Sequence, residues 1–392
     1  MFLTFISALL STLTLSVSNP SDAPRKDVPV VARIPENCGA VRSIAVKDHP
    51  DMPYQLDDMN DDGRADEIVM LLDMQPGETR TLVLELSELP ETRTFEAGTH
   101  AYIKLNDKNL RHPAIKAISF PGMAEDRLSY NSIYGHGAVL EGLYNAIRVY
   151  LDSRQSIDLY AKNHPQLELE TTGFYTSTAQ LEQGYGRDIL WAGTSVALGS
   201  FRGWNGTEPL TIDSVRTRSQ RVVTTGPLRS VIEMTDRGWR HGGKEMDMTQ
   251  TYTIYKGHRD IDVEIKLDGV SKGDVFATGI QKVMNDNQGF ILSSGLAGSW
   301  GNNVPDKNMA SVVDTLGLGI SVQPPYLVKT LEDDVNYLTL LTPDADGVMR
   351  YTIVSAATRD SESPKTPEEW WAWLAEWRRQ LEQPVKVTVK NK

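Results

Sequence analysis

The strongest constraint on this chain is a two-residue alternation of apolar and polar side chains that recurs along much of its length. In RDIDVEIKLDG (259–269), Ile261, Val263, Ile265 and Leu267 fall on one parity and Asp262, Glu264 and Lys266 on the other. Successive strand side chains point to opposite faces, so such a run buries one face and wets the other. The runs DEIVMLLDM (66–74), RTLVLELSE (80–88), SVRTRSQRVV (214–223), PLRSVIEM (227–234) and MTQTYTIYKG (248–257) have the same strand-like character, with turn residues between them. Antiparallel sheets with one packed face follow, and the absence of a linker within 31–392 predicts one large antiparallel β-sandwich.

Composition closes off several functions. A formal net charge of −12 leaves no basic surplus for neutralising phosphates, which argues against nucleic acid as a partner. The single cysteine, Cys38, rules out an internal disulfide. FLTFISALLSTLTLSVS, at the N-terminus, is too short for a comfortable membrane span and suits the apolar region of a signal peptide, with a small-x-small cleavage site at Ser16-Val17-Ser18. Residues 1–18 are therefore expected as an export signal and 19–30, NPSDAPRKDVPV, as a linker, placing the protein in the periplasm or outside the cell and off the membrane once cleaved.

One helix stands out. SPKTPEEWWAWLAEWRRQLEQP (363–384) offers Thr366 as N-cap, Pro367 at the first helical position and Glu369 three residues after the cap. Trp370, Trp373, Leu374, Trp377 and Leu381 then share one face, which reads either as a staple onto a sheet or as a platform for sugar rings.

Three stretches carry candidate chemistry. In DDMNDDGRADE (57–67), Asp58, Asn60, Asp62 and Asp66 are spaced around Gly63 as at the start of a calcium-binding loop, but Val69 stands where an EF-hand has glutamate. The loop is thus either a structural Ca²⁺ site or an Asx-rich turn without metal. In YNSIYGHGAVLEG (130–142), His136 sits between two glycines, whose backbone freedom can carry an imidazole to a ligand. IRVYLDSRQSIDLYAK (147–162) reads as a hairpin turning near Ser153-Arg154. Tyr150 is then expected opposite Asp158, and Arg148 opposite Tyr160, with cross-strand Cβ atoms within about 5.5 Å. Its polar face, Arg148, Tyr150, Asp158, Tyr160 and Lys162, is either a solvated surface or the floor of a cleft for an anionic ligand. Further glycine-flanked aromatic and polar groups occur in TSVALGSFRGWNG, YKGHRD, FATGIQ and GSWGNNVPD.

Taken in order, GHGAVLE, IRVYLDSRQSIDLYAK, ALGSFRGW, YTIYKGHRD, FATGIQ and SWGNNVPD resemble a bacterial family long filed as of unknown function that includes the ulvan oligosaccharide dehydratases. The resemblance implies an exported, all-β, mutarotase-like supersandwich. It also implies an activity that removes water from a glucuronate at the non-reducing end of an oligosaccharide, leaving an unsaturated uronate. Such chemistry needs a base for the C5 proton, an acid for the departing 4-hydroxyl, and positive charge on the carboxylate. On this reading His136 and Tyr150 are the acid/base pair, Arg148 holds the carboxylate and His258 is the reserve. Arg154, Asp158, Tyr160, Lys162, Trp204, Gln281 and Trp300 are expected to contact the sugar. The rival readings are an epimerase-like or glycoside-cleaving enzyme, for which Glu141 or Glu233 would be essential, and a sugar-binding protein without catalysis.

Overall fold

A computed structural model describes residues 9–107, 112–122, 126–306, 308 and 311–391. Its largest element is a nine-stranded antiparallel sheet. The strands run, in spatial order, Asn285–Ile291, Leu296–Asn303, Asp314–Val322, Val348–Ala357, Asp260–Asp268, Lys244–Tyr255, Arg229–His241, Thr217–Thr224 and Ala117–Pro121. The alternation in Asp260–Asp268 does what it predicts: Ile261, Val263, Ile265 and Leu267 are each at most 1 % exposed, and each such burial contributes about 1.5–3 kcal/mol. Their apolar face meets two smaller sheets across a common core. One has six strands and contributes Ile147, Val149 and Leu159; the other has five and contributes Phe276 and Ile280. The large antiparallel β-sandwich expected from the sequence is thus present.

The chain also builds a second, smaller apolar core between a four-stranded and a three-stranded sheet. Here two segments that the sequence reading set outside the sandwich are ordered. Leu9–Ser18, expected as part of the export signal, is a strand between Thr79–Ser87 and the C-terminal strand Lys386–Asn391. Leu13, Leu15 and Val17 are buried in the small core while Thr12, Thr14 and Ser16 are partly exposed. That is a strand's period of two, and it places the segment inside the folded body. Residues 1–8 of the expected signal lie outside the described residues. The linker expected over 19–30 is likewise ordered: Asn19 is buried, its Nδ2 donating to Ala23 O and Gln75 O, and a strand begins at Arg25. The two cores are coupled by Arg229, whose Nη2 reaches Asp57 at 2.5 Å and Glu67 at 2.7 Å.

The helix Pro367–Glu382 starts as predicted, with Thr366 Oγ1 accepting from Glu369 N at 3.2 Å. Trp370, Leu374 and Trp377 bury against Leu296, Trp300, Val354 and Ala356 of the nine-stranded sheet. Glycines on that sheet make the groove: a Cβ on Gly317 would stand 2.6 Å from the Trp370 ring, and one on Gly319 2.6 Å from Leu374. Most of the tryptophan stripe is therefore a staple.

Candidate active site

The hairpin of the sequence analysis is the centre of the six-stranded sheet, made by Asn145–Tyr150 and Ile157–Ala161. Its register differs by two residues from the expected one. Arg148 lies opposite Asp158, and Ala146 opposite Tyr160, because the loop spans Leu151 to Ser156 and closes with Tyr150 N donating to Ser156 O at 3.1 Å. This register turns a looser patch into a buried ion pair. Arg148 Nε donates to Asp158 at 2.8 Å, and its Nη2 reaches both Asp158 and, at 3.0 Å, Asp188. Phe174 caps the guanidinium with its ring centroid 4.5 Å away. Burial and the adjacent Asp158 push the Asp188 carboxyl above the ordinary carboxylate range, against the pull of Arg148.

Above this floor stands His136. It and Gly135 both lie in the left-handed region, at φ 71° and 73°. For a histidine that conformation costs about 1 kcal/mol or more, and such strain gathers at functional sites. Two backbone bonds hold it there, from His136 N to Ile133 O and from Leu151 N to His136 O. His136 Nδ1 lies 3.0 Å from the Tyr130 carbonyl, which only accepts, so Nδ1 carries the proton and Nε2 keeps its lone pair. The ring stacks on Tyr130 at 3.8 Å and 5°, and Tyr150 meets both rings edge-on. Burial and the Arg148 charge, against the opposing pull of the Tyr130 carbonyl, hold its pKa below the ordinary 6.5. His136 is thus a neutral imidazole near pH 7.

Tyr150 Oη donates to Asp158 Oδ2 at 2.8 Å, and burial followed by the Asp158 charge drives its pKa far up, so it stays a phenol. Arg154 is the most exposed cation of the group. Asp152 Oδ2 accepts from its Nε at 2.8 Å and its Nη2 at 2.5 Å, while its guanidinium lies over Tyr130 and Tyr150 at 5.3 and 5.4 Å and its side chain is 42 % exposed. Tyr175 completes the rim, its hydroxyl 3.3 Å from Arg148 Nη1. A neutral base, a neutral acid and a partly exposed guanidinium therefore lie side by side, and that set can remove a proton next to a carboxylate.

The structure gathers His136, Arg148, Tyr150, Arg154 and Asp158 and separates the rest of the expected set. Tyr160 and Lys162 are covered: Tyr160 Oη donates to Gly186 O at 2.7 Å, and Lys162 Nζ is buried on Glu141 at 2.6 Å. Gln281 is buried on Ser195 and the Trp191 carbonyl, and Trp300 lies under Trp370, so neither offers a face to a sugar. Trp204 sits in the five-stranded sheet beside His241. His258 has both ring nitrogens engaged, by Asp260 Oδ1 at 3.0 Å and Asp27 O at 2.8 Å. Glu141 and Glu233 are tied to Lys162 and Arg221. In the acidic loop, Asp58, Asn60, Asp62 and Asp66 turn their oxygens onto the loop's own N–H groups. No three His, Cys, Asp or Glu side chains converge as a metal cage among the described residues.

A family model described as a domain of unknown function, DUF4861, matches residues 17–387. The chain belongs to the DUF4861 family. No curated protein matches it. Among solved structures it resembles a glycosyl hydrolase family 38 protein from Enterococcus faecalis, with a TM-score of 0.50 and 12 % identity over 98 % of this chain and 49 % of that one. An α-mannosidase from Enterococcus faecalis V583 gives a TM-score of 0.46 at 11 % identity, over 98 % and 47 %. The chain spans about half the length of either structure, and at 12 % identity the likeness to the first concerns the fold alone.

Sequence reasoning missed three members of this DUF4861 site. Tyr130 opens the stretch that flagged His136, and an aromatic six residues before a glycine-flanked histidine was the available signal. Asp188 and Tyr175 come from segments that only the folded chain brings to the hairpin, and nothing local marks them.

Proposed function

We propose that this DUF4861 protein is a carbohydrate-active carbon–oxygen lyase that dehydrates a glucuronate at the non-reducing end of an oligosaccharide. The observation that carries the reading is a neutral His136, whose Nε2 has no partner among the described residues, beside the Tyr150 phenol and the exposed Arg154 guanidinium. Arg154, not the buried Arg148, takes the sugar carboxylate. His136 Nε2 accepts the C5 proton, the C5–H electron pair becomes the C4=C5 bond, and the 4-hydroxyl departs with a proton from Tyr150 as water. Asp158 holds the Tyr150 hydroxyl, and solvent then returns a proton to Tyr150 and takes one from His136, closing the cycle. No metal or organic cofactor has a step here. A periplasmic or secreted setting suits a polysaccharide-derived substrate. A glycoside-cleaving reading leans on the printed names of the fold relatives, but the glutamates it would use are held by Lys162 and Arg221. The test is ultraviolet absorbance with product masses on glucuronate-ended oligosaccharides. A conjugated-enoate band with loss of one water is expected, and neither change across several such substrates would refute the reading.

A further inference from the structure

A second site lies where the C-terminal helix, the strand Arg25–Arg33 and the outer face of Asp260–Asp268 meet. The cleft there encloses ≈810 Å³, within the roughly 300–1,000 Å³ typical of ligand sites. Its floor carries Asp260 and Asp262, which share a face because they are two residues apart on one strand. Asp260 is fully engaged, accepting from Trp377 Nε1 at 2.8 Å and facing His258. Asp262 is not. Among the described residues its one hydrogen-bond partner is Thr352 Oγ1 at 3.1 Å, and it is exposed within the cleft. The surrounding walls, and then the Asp260 charge, raise its pKa to about 6, so at neutral pH it is mostly an open carboxylate acceptor.

The walls are aromatic and their cations are occupied. Trp373 is the one tryptophan of the stripe that both lines the cleft and stays half-exposed, aligned by stacking on Trp370 and Trp377. Its indole N–H has no acceptor among the described residues. Tyr144 contributes a second ring, with Arg259 4.1 Å over it; that guanidinium is paired to Asp360. Arg25 Nη2 is spent on the Gln380 and Gln383 carbonyls. Among the described residues lining the cleft, Lys26 remains as a loose cation. An open carboxylate disfavours an anionic ligand and suits one rich in hydroxyl donors, while half-exposed rings suit the apolar face of a pyranose.

We infer that this cleft binds a neutral oligosaccharide, with a ring against Trp373 and hydroxyls donating to Asp262. The inference does not depend on the dehydratase reading. It is tested by titrating the full chain with xylohexaose, cellohexaose and mannohexaose, followed by tryptophan fluorescence and calorimetry. Saturable binding of at least one is expected, weakened about 10-fold or more in Asp262→Asn and Trp373→Ala and retained in His136→Ala. If Trp373→Ala lowers the melting temperature, Asp262→Asn and Asp262→Lys decide the matter, since that side chain is exposed. No saturable binding of any of the three, or binding that Asp262→Asn leaves within about twofold while His136→Ala abolishes it, would overturn the inference.

Discussion

His136 and His258 differ in almost everything but their side chain, and the contrast shows what turns an imidazole into a reagent. His258 is bonded at both nitrogens; although burial pulls its pKa down, Asp260 and the Asp27 carbonyl push it to about 9. It is a cation that joins the small sandwich to the large one. His136 is bonded at one nitrogen, held below 6.5, and kept in a strained conformation with the other nitrogen free. Their surroundings invert in the same way. Beside His136 the open charge is the Arg154 cation, while beside His258 it is the Asp262 carboxylate.

The largest expected effect separates the two directly. His136→Ala should lower turnover of a glucuronate-ended oligosaccharide by about 10²–10⁴-fold at unchanged melting temperature, and His258→Asn should leave the rate within about threefold. Steady-state kinetics on both variants decide it, and equal losses would dissolve the contrast. Next comes the N-terminal strand Leu9–Ser18. Leu15→Ala should destabilise the small core by about 2–5 kcal/mol, read as a shift in the denaturant midpoint. A change below about 0.5 kcal/mol would mean that Leu9–Ser18 is not part of the working fold.

His258 should then appear in stability, not in rate. Its folded pKa of about 9 exceeds the ordinary 6.5, so its contribution is complete below 6.5 and lost as pH rises through 9. Wild type should exceed His258→Asn by at most about 3 kcal/mol at pH 6, with the gap closing by pH 10. Denaturant melts across that window check the sign, and a gap that widens with pH would reverse the assignment. Smallest is Arg154→Gln, expected to lower kcat/KM for the uronate about 10-fold with kcat falling as well as KM rising, because the charge on the carboxylate is needed most as the C5 proton leaves.

Much of this was legible along the chain. The alternation at 259–269 gave the central strand of the nine-stranded sheet, and Thr366, Pro367 and Glu369 marked the helix start because caps are local chemistry. The hairpin's apolar parity held, since Ile147, Val149 and Leu159 all face the core. Its register did not, because six residues of loop, not the turn residues alone, set the pairing. Tyr160 and Lys162 looked available for want of a lid: residues 168–186, distant in sequence, cover them. At the N-terminus two patterns competed. LTLSVS alternates as a strand does, yet its overall apolar, Ser/Thr-rich composition also fits an export signal.

The most direct test of the account is the pH dependence of kcat/KM for a glucuronate-ended oligosaccharide, which reports the essential base of the free enzyme. If His136 is that base, the acidic limb falls below pH 6.5 in wild type and stays there in His258→Asn. A limb near 9, or one that moves when His258 is replaced, would contradict the account and transfer the chemistry to the other histidine.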